Sequence, residues 1–172
     1  EEGQIMPRIP DGMDPRQPYY PGAADRSAKV EKNADNVVKF DRGSVPACLV
    51  GSDTDQSSDM YRNEEVFAPA MTIHEINATD PATYLRAAVK YANDNLYGTL
   101  GSNIVIHPKT VQQIGKAQFE EIITELRYGT IAINTWSGLG FLTPACPWGA
   151  FPGHTLQDVQ SGIGFAHNTY MF

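Results

Sequence analysis

Residues 70–106 read AMTIHEINATDPATYLRAAVKYANDNLYGTLGSNIVI. Two apolar runs flank a segment of helical pattern. AMTIHEI is rich in β-branched residues and reads as a strand. Asp80 is placed to cap a helix, and Pro81 suits its first position. Leu85, Ala88, Val89 and Ala92 follow at the i, i+3, i+4, i+7 spacing of a buried face. Gly98 stands where a left-handed C-cap would end the helix, and SNIVI is the next strand. The pattern then repeats. Pro108 opens a second helix with Val111, Ile114, Phe119, Ile122, Ile123 and Leu126 along one side, Gly129 closes it, and TIAIN (130–134) is a strand. Strand, helix, strand, helix, strand over residues 69–134 implies parallel strands joined by right-handed crossovers. The expected fold class is therefore α/β, a partial parallel sheet with helices on both faces. Apolar runs such as IVI fit strands covered on both sides.

Upstream, VPACLV (45–50) reads as a short buried strand, followed by a polar loop, GSDTDQSSDMYRN (51–63). Residues 1–43 are crowded with Pro, Gly and Asp and show little apolar period, so an irregular extended segment is expected there. Residues 44–172 are expected to form one folded portion. Downstream, residues 135–164 set Trp136, Phe141, Trp148 and Phe151 among glycines and prolines, and a long loop of this kind is usually functional. FAHNTYMF (165–172) alternates weakly, as one more strand would.

The 172 residues suit one domain with a sizeable core. A net charge of -7 and the absence of any basic run argue against a nucleic-acid partner. No apolar stretch approaches the roughly 20 residues that span a bilayer. The chain opens on Glu1 rather than Met and is read as lacking its natural start. Cys48 and Cys146 read as free thiols of a reducing compartment, which points to the cytoplasm. Two cysteines are too few for a structural zinc site. His74, His107, His154 and His167 show no ligand spacing and read as surface or half-buried histidines, so no metal is expected.

Neither GxGxxG, GxxxxGK[ST] nor GxSxG occurs. Cys146, in PACPWG, lacks the cationic neighbour that activates a thiol and reads as a small packed hydrophobe. Glu64 and Glu65, in NEEVFAP (63–69), open directly into an apolar strand. Taken alone they read as a solvated strand entrance, since paired carboxylates at an active site need burial to split their pKa values.

NEEVFAPAMTIHEI (63–76), ANDNLYGTLGSNIVI (92–106), RYGTIAIN (127–134) and PWG (147–149) occur in that order. Together they resemble the C-terminal half of the catalytic domain of the aldehyde dehydrogenase superfamily, over about residues 61–172. The resemblance implies NAD or NADP as cofactor and a small-molecule aldehyde oxidised to a carboxylic acid, in a homo-oligomer. It implies that Glu65 accepts hydrogen bonds from the nicotinamide ribose hydroxyls and that Phe67 packs near the nicotinamide ring. Trp136 and Phe141 would fall near the substrate tunnel, with Asn134 ending the strand beneath. Ala68 departs from the family's glycine, PWGA from its Pro-Phe-Gly-Gly, and FPGHTLQDVQSGIG (151–164) from its Ser-Gly…Gly-Arg-Glu. The family's catalytic cysteine and general-base glutamate lie upstream of the Glu-x-Phe turn, and nothing before Glu65 matches them. The chain then corresponds to a fragment, inactive alone, with no residue here assigned as nucleophile or base. The alternative is a non-catalytic binding or oligomerisation module derived from that fold.

Overall fold

The computed structural model describes residues 20–33, 35–41, 46–53 and 60–166. They fall into two compact units. One comprises the described residues up to 61 together with 66–75, the other 62–65 and 76–166.

In the first unit, α1 (Ala23–Asn33) lies against β2 (Pro46–Asp53). Its buried residues are Ala23, Ser27 and Val30, an i, i+4, i+7 face. Val30 is the centre of a small apolar cluster with Val37, Val66 and Ala70. β1 (Asp35–Asp41) pairs antiparallel with β2, and β2 pairs parallel with β3 (Ala70–His74) in register from Leu49↔Ala70 to Asp53↔His74. The helix and strand over 23–41 stand where irregular chain was expected. The Pro and Gly punctuation that suggested a loop stops at Gly22, and the buried face of α1 is built from small side chains that an apolar count overlooks. Asp25 in the first turn and Lys32 in the last also suit the helix dipole. Residues 1–19 of the expected irregular segment lie outside the described residues.

The short helix α2 (Met60–Asn63) leads to the second unit, built on β4 (Gly101–Ile104) and β5 (Thr130–Ile133), parallel from Gly101↔Thr130 to Ile104↔Ile133. Three helices supply its core: α3 (Pro81–Asn95), α4 (Pro108–Ile114) and α5 (Lys116–Thr124). Leu85, Val89, Ile114, Phe119, Ile122 and Leu126 are buried together, with Ile104 and Ile131 of the strands packed against them. On the other side of β5, Thr130 meets α6 (Gly138–Leu142), so helices flank this pair on both faces. The α/β class and the parallel strands are as expected. Their pairing is not one continuous run: β3 is hydrogen-bonded to β2, and β4 to β5, in separate sheets. A strand's own composition does not name its partner. A final antiparallel pair joins β6 (Trp148–Gly149) to β7 (Phe165–Ala166), and residues 167–172, with His167, lie outside the described residues.

Helix α3 begins as the sequence dictates. Asp80 accepts from the backbone N–H of Ala82 and Thr83, both at 3.0 Å, and from Thr83 Oγ1 at 2.7 Å. The Thr83 hydroxyl bond, foremost, holds the Asp80 carboxyl below its ordinary range. The helix ends earlier than expected, at Asn95, with Leu96 extended beyond it. Gly98 does take a positive φ of 92°, but in the loop, where its N–H donates to Gln160 Oε1. The single helix expected from Pro108 is two, broken at Gly115, whose φ of 91° and ψ of 131° suit a residue without Cβ. Gly129 does not cap α5 either. It allows a close approach, since a Cβ there would stand 1.8 Å from the Gly149 carbonyl oxygen. Among the described residues, no helix is long and apolar enough to cross a membrane.

Candidate functional site

The turn from Val66 to Ala70 is held by a residue far upstream. Phe67 has φ 39°, a left-handed conformation that costs a non-glycine residue about 1–2 kcal/mol. Such backbone persists when its surroundings over-determine it. Here the Arg26 guanidinium donates from Nε to the Val66 carbonyl at 3.0 Å and from Nη2 to the Phe67 carbonyl at 2.8 Å. Its Nη1 reaches the Pro21 carbonyl at 3.1 Å. The Tyr20 ring lies 5.2 Å from that of Phe67, tilted by 56°. A tight turn about Pro69, with Ala70 N–H donating to the Ala68 carbonyl at 2.7 Å, then starts β3. Ala68 thus needs no glycine-like backbone, because Phe67 carries the positive φ. Phe67 as a residue is 50 % exposed.

Glu65 and Glu64 are both exposed and belong to the second unit, whereas Phe67 belongs to the first. An exposed carboxylate offers two acceptor oxygens and no donor, which is the complement of a vicinal diol. A half-open aromatic ring offers a face for a flat heterocycle. Taken each by itself, Glu65 has the acceptor chemistry for such a diol and Phe67 the apolar surface for such a ring.

Asn134, just past β5, also has a positive φ, 56°. Its side chain pairs twice with Ile106: Ile106 N–H donates to Oδ1 at 2.8 Å, and Nδ2 donates to the Ile106 carbonyl at 2.9 Å. Asn103 of β4 accepts from the Ser137 N–H at 2.6 Å. These two asparagines fasten the start of the Gly-rich segment to the ends of β4 and β5. Trp136 and Phe141 lie along that segment, 64 % and 52 % exposed. The Trp136 indole crosses the backbone at Gly138 so closely that a Cβ there would stand 2.3 Å from the ring. Phe141 meets Trp148 edge-on at 5.7 Å. Cys146 is exposed rather than packed. It sits in a turn whose N–H donates to the Thr143 carbonyl at 2.9 Å, and that turn faces outward.

A separate cleft of about 430 Å³ opens beside the end of α3, lined by Asn95, Tyr97, Thr99, Tyr128, Pro152 and His154 among others. His154 Nε2 is 2.7 Å from Thr99 Oγ1, and burial pushes the Tyr128 phenol up from its ordinary value. His107 is likewise occupied, its Nδ1 accepting from the Lys109 N–H at 3.1 Å to cap α4. None of Glu65, Phe67, Trp136 and Phe141 lines this cleft. Among the described residues, no three of His, Cys, Asp and Glu gather as metal ligands would.

The contacts of Arg26, Tyr20, Asn103 and Trp148 are not legible in the sequence. Asn103 and Trp148 lie inside motifs that were quoted, and only their partners were missing. Arg26 has no local signal, since the carbonyls of the turn it holds lie 40 and 41 residues away.

No protein-family model matches the sequence, and no curated protein sequence does. Among solved structures, aldehyde dehydrogenase 21 from Physcomitrella patens, in complex with the reaction product succinate, matches 75% of this chain with a TM-score of 0.52 at 19% identity. The chain has an aldehyde dehydrogenase fold. It spans 24% of that enzyme's chain, so the likeness is to part of the fold. An oxidoreductase from Marinobacter aquaeolei matches 84% of this chain and 28% of its own, with a TM-score of 0.49 and 20% identity. Three quarters of 172 residues is more than 61–172 contain, so the aldehyde dehydrogenase likeness takes in chain upstream of the motifs that suggested it.

Proposed function

We propose that this chain is part of an NAD(P)-dependent aldehyde dehydrogenase-like oxidoreductase that converts an aldehyde to a carboxylic acid. Residues 44–172 are its contribution to the catalytic domain. The observation that carries the reading is the fold likeness; exposed Glu65 and half-exposed Phe67, in the turn that the sequence resemblance assigns to the cofactor, support it. In this reading Glu65 accepts from the nicotinamide ribose hydroxyls, and Phe67 packs against the ring. Trp136 and Phe141 contribute apolar surface to the substrate tunnel. When bound, the cofactor supplies hydride acceptance. The residues of this chain bind and orient; the nucleophile and the base come from elsewhere in the protein. A homo-oligomer and a cytoplasmic setting belong to the same proposal.

A second reading, a binding or assembly module without chemistry, draws support from the exposed apolar side chains around α6. Leu139 and Leu142 are 46 % and 62 % exposed, beside Trp136 and Phe141. Titrating the whole protein that carries this chain with NADH and with NADPH, by nicotinamide fluorescence, separates the two. Saturable binding of at least one, with aldehyde-dependent reduction of its oxidised form, is expected. Saturable self-association with no binding of either nucleotide would favour the module.

A further inference from the structure

The turn that carries Phe67 is not self-supporting. The left-handed φ at Phe67 is one that glycine would adopt freely, and neither Phe67 nor its neighbour Ala68 is glycine. What holds the turn is Arg26, on the first turns of α1, which bridges the carbonyls of Val66 and Phe67 with one planar fork. Two other features keep that fork aimed. Its third nitrogen is fixed by the Pro21 carbonyl. Gly22, at φ 75°, leaves room beside it, since a Cβ there would stand 3.0 Å from Arg26 Nη1. Tyr20, from the same short stretch, lies against the Phe67 ring. So the segment 20–26 grips both the backbone and the ring of one residue across about forty positions of sequence.

We infer that Arg26 is a positioning residue for the nicotinamide site: it acts through Phe67, fixing the direction in which that ring presents its open face. This rests on Phe67 packing against the nicotinamide, as proposed above. Lysine cannot replace arginine here, because an ammonium is a point donor and the site uses a rigid fork with two nitrogens on adjacent carbonyls. A small rotation of the turn would move the ring away from the nicotinamide, a loss that falls on ligands carrying that ring and spares those without it.

That separation defines the test. NADH and ADP-ribose differ by the nicotinamide ring and share the ribose. Their dissociation constants are measured on the whole protein carrying this chain, for the native sequence, Phe67→Ala, Arg26→Lys and the double variant. Arg26→Lys should weaken NADH about 3- to 10-fold and leave ADP-ribose unchanged, while the double variant should bind no more weakly than Phe67→Ala alone, as coupled residues do. Gly22→Ala, which crowds the fork without removing its charge, should give a smaller loss of the same selectivity and serves if Arg26→Lys does not fold. If Phe67→Ala is selective for NADH but Arg26→Lys is not, or if the two add, the inference is overturned and the Phe67 reading stands. If Phe67→Ala shows no selectivity, that reading fails and the inference with it. If neither Arg26→Lys nor Gly22→Ala yields a folded protein, the segment is a structural clasp and the inference is overturned.

Discussion

Two stretches of the second unit spend their apolar residues in opposite ways. Across α3, α4 and α5, Leu85, Val89, Ile114, Phe119, Ile122 and Leu126 are buried together, and Ile122 is 0% exposed. Around α6, Trp136, Leu139, Phe141 and Leu142 stand 46–64 % exposed, though they are as apolar. The first stretch is closed by its own sequence: three helices and two strands bury one another. The second is tied to β4 and β5 by Asn103 and Asn134 and touches Thr130 and Trp148, yet its four apolar side chains stay about half or more exposed. The lesson is that composition alone does not separate residues that make the fold from residues the fold displays. The distinction lies in whether the apolar positions recur at a helical period or cluster among glycines.

Substituting in the closed stretch should have the largest effect. Ile122→Ala leaves a cavity in a packed interior and should cost about 2–5 kcal/mol, visible as a large drop in the thermal midpoint. A drop no greater than that of a surface variant would mean the two stretches do not differ as described. Next comes Gly129→Ala, where the new methyl meets the backbone of Gly149 and must push β6 away. A loss of roughly 1–3 kcal/mol is expected, as for overpacking. An unchanged midpoint would show that β6 is free to move.

The sequence made some of this legible. The start of α3 was visible because capping chemistry is local: Asp80 and Pro81 are adjacent and fill adjacent roles. Strand β5 was visible because its four residues are consecutive. The break at Gly115 was not, because a glycine inside a helical pattern reads the same whether it bends the chain or is tolerated. Helix α1 was hidden by the small side chains of its buried face. The grip of Arg26 on the Phe67 turn was hidden for a deeper reason, since a side chain bonded across forty residues leaves no periodicity to read.

Smaller effects sharpen the comparison. Asp80→Ala should lower the midpoint by a few degrees at neutral pH, through loss of the cap. Because its folded pKa is depressed below 3.8, the contribution of Asp80 is present above that value and is lost as pH falls through the folded pKa. The gap between variant and native protein should therefore close in acid. A gap that widened in acid would contradict the assigned cap. Trp136→Ala, in the displayed stretch, should change stability by no more than about 0.5 kcal/mol. A loss several times larger in thermal melting would place the indole in the packing instead.

The most direct test concerns Glu65, the open carboxylate on which the cofactor reading turns. NADH affinity and thermal midpoint are measured side by side for the whole protein, for Glu65→Gln and for Glu64→Gln. A charge-assisted hydrogen bond is worth about 1.5–3 kcal/mol, and glutamine keeps one acceptor oxygen, so a loss of about 1–2 kcal/mol should remain. That is roughly 5- to 30-fold in affinity for Glu65→Gln, with the midpoint nearly unmoved and Glu64→Gln indistinguishable from the native protein in affinity. Equal behaviour of the two variants, or a lowered midpoint at Glu65→Gln with NADH affinity intact, would contradict the account and make Glu65 an acid of structure alone.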